Sequence, residues 1–94
     1  MLIVVLFGHL PDRFYGTADI GEKRAVIKID LKKNTNPVIT YIHELVHIKH
    51  PDWPEKKVVQ ATRKFWNNAS QKERFQVYHE LFDRVYIPIN EYEE

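Results

Sequence analysis

Residues Asn36–Pro51 read Asn-Pro-Val-Ile-Thr-Tyr-Ile-His-Glu-Leu-Val-His-Ile-Lys-His-Pro, and this stretch decides the fold. Asn36 suits a helix N-cap and Pro37 the first helical position, so a helix starts here. Pro51 disfavours helical geometry at His50, which places the end near Lys49. At about 100° per residue, Val38, Ile39, Ile42, Leu45 and Val46 form an apolar stripe. His43, His47 and His50 lie together beside it, with Thr40 and Glu44 further round. Residues four apart share a helix face, so His43 and His47 can both reach one metal ion. Glu44 can reach the open side of such an ion, where a carboxylate takes a proton from water. A mostly buried helix that carries ionisable groups needs something to offset their desolvation, and a metal would do so. The competing reading is a solvated strip of histidines on an ordinary surface helix.

Upstream, Leu2–Phe7 is a continuous apolar run rich in β-branched residues, expected as a strand covered on both faces. Pro11–Gly16 reads as a loop, Thr17–Ile20 as a short strand and Ile20–Lys23 as a tight turn. In Arg24–Leu31, Val26, Lys28 and Asp30 alternate with Ile27, Ile29 and Leu31, the pattern of a half-buried strand. Lys32–Asn36 is a polar loop. Downstream, a second helix is expected from Pro54 to about Asn67, with Val58, Thr62 and Phe65 on one face. Ser70-Gln71-Lys72-Glu73 matches a capping box and opens a third helix to about Val85. Phe75, Tyr78, Phe82 and Val85 recur there at helical spacing and are expected in the core. Tyr86–Glu94 is expected to be partly extended and ends acidic. Strands followed by helices predict an α+β fold: a small N-terminal sheet, then about three helices, the first carrying the histidines.

At 94 residues the chain is expected to form one domain over residues 1–94. Fourteen basic and thirteen acidic side chains leave a net charge of +1. That balance argues against the strong positive field of a dedicated nucleic-acid binder. Lys56, Lys57, Arg63, Lys64, Lys72 and Arg74 lie near Trp53 and Trp66, but Glu55 and Glu73 dilute the run. A solvated helix face is the simpler account than a single-strand surface. With no Cys, disulfides, thiolate metal sites and a Cys nucleophile are excluded. The apolar N-terminal run is too short to span a bilayer and lacks the flanks of a signal peptide. A soluble, cytoplasmic protein without membrane contact is therefore expected.

His43-Glu44-Leu45-Val46-His47 is an HExxH motif, and from Arg24 to Trp66 the chain resembles the zincin metallopeptidases. The resemblance lies in a strand, a loop, an Asn-Pro helix start, the run Thr40–Ile48, a Pro51-Asp52 stop and a following helix. It is most similar to small single-domain phage, archaeal and bacterial members, with a HELxH helix, a Pro-Asp turn and a Glu-led helix. The resemblance implies zinc as cofactor, His43 and His47 as ligands, Glu44 as general base, and peptide-bond hydrolysis. It also implies a peptide or protein substrate laid along an edge strand beside the active helix, here Arg24–Leu31.

Two residues compete for the third ligand position. Glu55 lies eight residues after His47 at the start of the next helix, which resembles the gluzincin arrangement. It would otherwise close a capping box with Asp52. His50 shares the face of His43 and His47, but the rise from His43 is about 10.5 Å, so it would bind only at an unwound helix end. The longer metzincin pattern is absent, since His50 and Trp53 occupy its Gly and last His positions. Tyr78-His79-Glu80-Leu81-Phe82-Asp83 echoes the motif as HExxD, and Tyr78 or His79 are candidates to steady an oxyanion. The alternative to a peptidase is a zincin-like module that keeps metal for stability and serves binding or regulation.

Overall fold

The computed structural model describes residues 1–33 and 36–86. Three strands come first, β1 (Leu2–Phe7), β2 (Gly16–Ile20) and β3 (Arg24–Ile29). Three helices follow, α1 (Pro37–Lys49), α2 (Glu55–Asn68) and α3 (Gln71–Arg84). The α+β arrangement is as expected, with the HExxH motif on α1.

The strands pair in the order β1-β3-β2. β1 runs parallel to β3 with Val5 opposite Ile27, and β2 runs antiparallel with Ala18 opposite the same residue. The Gly21 N–H donates to the Arg24 carbonyl at 2.9 Å and closes the β2–β3 hairpin. This order corrects one expectation. Arg24–Leu31 does not supply an edge strand, because β3 is paired on both sides. The outer strand against which α1 packs is β2. Alternation along β3 reports which face is buried, but not how many neighbours the strand has.

One face of the sheet carries the core. Ala25, Ile27 and Ile29 point inward from β3, and Val5 from β1. Val38, Tyr41 and Ile42 of α1 and Leu81 of α3 close over them. Each such burial of a large apolar side chain contributes about 1.5–3 kcal/mol. β1 is not covered on both faces as its apolar run suggested. Leu2 is exposed and Val4 and Leu6 are half-buried, because α1 and α3 pack on the same side of the sheet as the inward residues. Leu31 is also exposed, beyond the end of β3.

The helix ends follow local chemistry. Asn36 Oδ1 accepts from the Val38 N–H at 3.1 Å, and the His50 N–H returns to the Val46 carbonyl at 2.8 Å. Ser70 and Glu73 exchange both bonds of a capping box, at 3.1 and 3.0 Å. α2 instead begins after Pro54, which makes no side-chain cap, so the Asp52–Glu55 capping box does not form.

α3 corrects a second expectation. Phe75, Tyr78 and Phe82 are 62%, 40% and 64% exposed, and Leu81 is buried with Val77 and Val85 packed beside the core. Two apolar stripes lie about 100° apart on this helix, and a polar link favours the second. Tyr41 OH donates to Glu80 Oε1 at 2.8 Å and accepts from Arg84 at 2.6 Å. Burial raises the Tyr41 phenol above its usual pKa, so it stays a donor. Tyr41→Phe is expected to cost about 1–3 kcal/mol of stability, read by denaturant melting with helix content unchanged. An unchanged midpoint would mean the link does not hold α1 to α3. On α2, Val58 and Thr62 are buried as expected, but Phe65 is exposed.

After α3 the Tyr86 N–H donates to the Val5 carbonyl at 2.9 Å, so the chain turns onto the outer edge of β1. The expected extended tail beyond Tyr86 lies outside the described residues. Among the described residues, no helix is long and apolar enough to cross a membrane.

Candidate metal centre

One turn of α1 separates His43 from His47, and their Nε2 atoms stand 3.2 Å apart. Glu55, the first residue of α2, brings its carboxylate to both. Its Oε1 lies 2.8 Å from His43 Nε2 and its Oε2 lies 2.9 Å from His47 Nε2. A tetrahedral zinc site with bonds of 2.0–2.1 Å has donor–donor edges of about 3.3 Å. The three groups converge on one point, where the Glu55 contacts have hydrogen-bond length and come from its two carboxylate oxygens. Their chemistry fits too, since imidazole nitrogen and carboxylate oxygen both suit a borderline divalent cation.

Glu44 is 5% exposed, and its carboxylate lies within 4.8 Å of the histidine donor nitrogens. Burial pushes this carboxyl up to about 7, against the pull of His47 and with a smaller push from Glu55. Burial also lowers the His43 pKa, which favours the neutral imidazole a metal needs. Glu55, by contrast, has a side chain 64% exposed and reaches in from the rim. The His43–Glu44–His47 cluster could hold a metal ion.

The corner between α1 and α2 aims Glu55. The His50 ring stacks on Trp53 with centroids 3.7 Å apart and planes 4° from parallel. The Trp53 N–H donates to the His50 carbonyl at 3.1 Å, and Lys57 Nζ sits 4.2 Å from the Trp53 ring centre. His50 is therefore a packing residue of this corner, and the structure does not bring it to the cluster. The rise along a regular α1 and the stacking partner both hold it away.

Gly16 is a residue the sequence reading missed. It opens β2 on the face toward α1, where an added Cβ would lie 2.6 Å from Thr40 Cγ2 and 3.5 Å from Glu44 Cγ. A glycine at the start of a strand signals such a close approach. It lets the outer strand lie against the turn that carries Glu44. Gly16→Ala is expected to cost about 1–3 kcal/mol by overpacking. Adding Thr40→Ser, which deletes the opposing methyl, should return most of the melting temperature. No recovery in the double variant would place the clash elsewhere.

An open cleft runs over the cluster in two lobes that share Arg13, Phe14, Gly16, His43, Glu44 and Glu55. One lobe, about 720 Å³, extends toward Lys33, Asn36 and Arg63. The other, about 620 Å³, runs along Thr17, Ala18 and Ile20 of β2. The loop that walls it is tied down by buried Asp30, which accepts from the Leu10 N–H at 3.0 Å and the Lys32 N–H at 3.1 Å. The Leu10 bond leads in holding the Asp30 carboxyl below its usual pKa. Lys33 Nζ donates to the Leu10 and Phe14 carbonyls at 2.6 and 3.2 Å.

Tyr78 and His79 are not brought to this site. They line a separate groove on α3 with Phe75 and Phe82, and α3 packs on β1, at the other edge of the sheet from β2. A residue's place on a helix face is legible from spacing, but the place of the helix is not. The HExxD echo forms no metal cluster among the described residues, and its Glu80 is held by Tyr41 and Arg84.

Comparison with protein-family models, curated proteins and solved structures finds no match. The fold and site define a small α+β chain with an HExxH cluster on its first helix that could hold a metal ion. The resemblance to zincins rests on the His43-Glu44-x-x-His47 spacing alone.

Proposed function

We propose that this chain is a zinc-dependent metallopeptidase acting on peptide or protein substrates. The observation that carries the reading is the meeting of His43, His47 and Glu55 within 2.8–3.2 Å of one another beside buried Glu44, under an open cleft. Two imidazoles and one carboxylate are a donor set that leaves a catalytic zinc an open position. His43 Nε2, His47 Nε2 and a Glu55 oxygen would hold the ion. Zinc bound there would supply Lewis acidity, polarising the scissile carbonyl and acidifying a water.

Glu44 does the proton work. Its carboxylate takes the proton from the attacking water and hands it to the amide nitrogen as the C–N bond breaks. Arg13 lines both lobes of the cleft and is the cationic donor we assign to the developing oxyanion, in place of Tyr78 or His79. β2 replaces Arg24–Leu31 as the substrate edge. Among the described strands it pairs with β3 alone, so its outer backbone groups can receive an extended peptide.

The test is cleavage of an unfolded fluorescent casein by the full chain loaded with zinc. Hydrolysis that a chelator abolishes and zinc restores is the expected result. No cleavage, together with a melting temperature that falls on chelation, would refute the peptidase and favour a metal-stabilised binding module.

A further inference from the structure

We infer that the cleft selects peptides with a carboxylate on the C-terminal side of the cut bond, held by Arg63, and an apolar side chain on the N-terminal side. The position of the cut bond rests on the peptidase reading above, whereas carboxylate binding can be read without cleavage. The two lobes differ in character. One ends at Arg63 and Asn36, beside the N-terminus of α1. The other is walled by Phe14, Ala18, Ile20 and Pro51. Among the described residues, the acidic side chains that line either lobe are Glu44 and Glu55, both part of the cluster. Of the cations, Lys33 Nζ is committed to the Leu10 and Phe14 carbonyls and lies 3.7 Å from Asp30. Arg13 stands where the lobes meet, 5.8 Å from the Phe14 ring centre. Arg63 is exposed on α2 and is in no ion pair among the described residues. Its guanidinium offers a fork that fits a carboxylate. The positive end of the α1 dipole, at the same end of the cleft, favours the same charge.

β2 sets the direction. Gly16 lies against Thr40 and Glu44, and Ile20 shares its lobe with Pro51. A peptide that adds to β2 antiparallel, the more stable pairing, runs from the apolar lobe past the cluster toward Arg63. Arg63 stands eight residues beyond Glu55 on α2, a rise of about 12 Å. Helical side chains lean toward the helix N-terminus, so Arg63 covers part of that distance. An extended peptide covers the rest in about two or three residues. The carboxylate therefore belongs two or three residues past the cut bond, as an Asp or Glu side chain or as a chain end.

The probes are labelled, amidated peptides with Leu followed at the second or third residue by Glu, or by Gln. Fluorescence anisotropy reads their binding to the full zinc-loaded chain carrying Glu44→Gln, which should not cut them. The Glu peptide is expected to bind about fivefold more tightly than the Gln peptide at low salt, and less so as salt rises. Adding Arg63→Gln should bring the ratio to about one, and Arg63→Glu should favour a Lys peptide instead. A peptide that ends at this position with a free carboxylate distinguishes the two sources. Tighter binding of it or of the Glu peptide, relative to Gln, supports the inference. Preferential binding with no cleavage by the wild-type chain would remove the peptidase and keep the carboxylate site. Casein cleavage with no preference for either carboxylate over Gln would keep the peptidase and overturn the inference. So would a preference that survives Arg63→Gln, or one for the reversed sequence, with Glu before Leu.

Discussion

Glu44→Gln is expected to keep zinc and to lose peptide hydrolysis by about 10²–10⁴-fold. The physical reason lies in the separation of roles within the cluster. The contacts of 2.8, 2.9 and 3.2 Å join His43, His47 and Glu55, and Glu44 makes none of them. Glutamine keeps the shape of the buried side chain but cannot take a proton from water. The loss should fall on kcat, with KM little changed, since Glu44 would act on the reacting water rather than on the bound peptide. Stability should hold or rise, because a buried carboxylate is costly and its amide is less so. Elemental analysis should still find one zinc per chain. Hydrolysis by the variant at the wild-type rate would remove Glu44 as the base.

Glu55→Ala is expected to weaken zinc binding by more than about 100-fold. Loss of a group that only orients a ligand costs 10–100-fold, and a ligand should cost at least the upper end. At zinc about 100 times its dissociation constant, binding to the folded chain alone adds about 2.7 kcal/mol. For a domain of this size that corresponds to a rise of about 10–20 °C in melting temperature. The variant should lose this zinc-dependent rise while its metal-free melting temperature stays close to wild type, because the Glu55 side chain is largely exposed. His50→Ala is the matched comparison. It should keep the rise, since its ring is stacked on Trp53 and lies outside the cluster. A zinc-dependent rise that survives Glu55→Ala but not His50→Ala would reverse the assignment.

Much of the local structure was legible in the residues. The Asn36-Pro37 start and the His50-Pro51 stop bounded α1, and Ser70 with Glu73 opened α3. The strand runs at Leu2 and Arg24 fell where expected. The histidine pair was legible because four residues make about one helical turn. These signals act over a few residues, through caps, backbone dihedrals and side-chain periodicity. The apolar face of α3 was misread because two stripes satisfy the same period. What separates them is Tyr41, some forty residues earlier, which binds Glu80 and Arg84.

The sequence by itself therefore determined the order of elements, the caps, and the placing of His43, Glu44 and His47 on one helix turn. The tertiary structure decided what meets that turn. The hairpin pairing made β2 the outer strand and buried β3 in the middle of the sheet. The His50–Trp53 stack at the corner brought Glu55, rather than His50, to the two imidazoles. Gly16 gained its importance only because β2 and α1 come within one methyl group of each other. Local rules set the conformation of a segment within a few residues, whereas a site depends on packing between segments far apart in the chain.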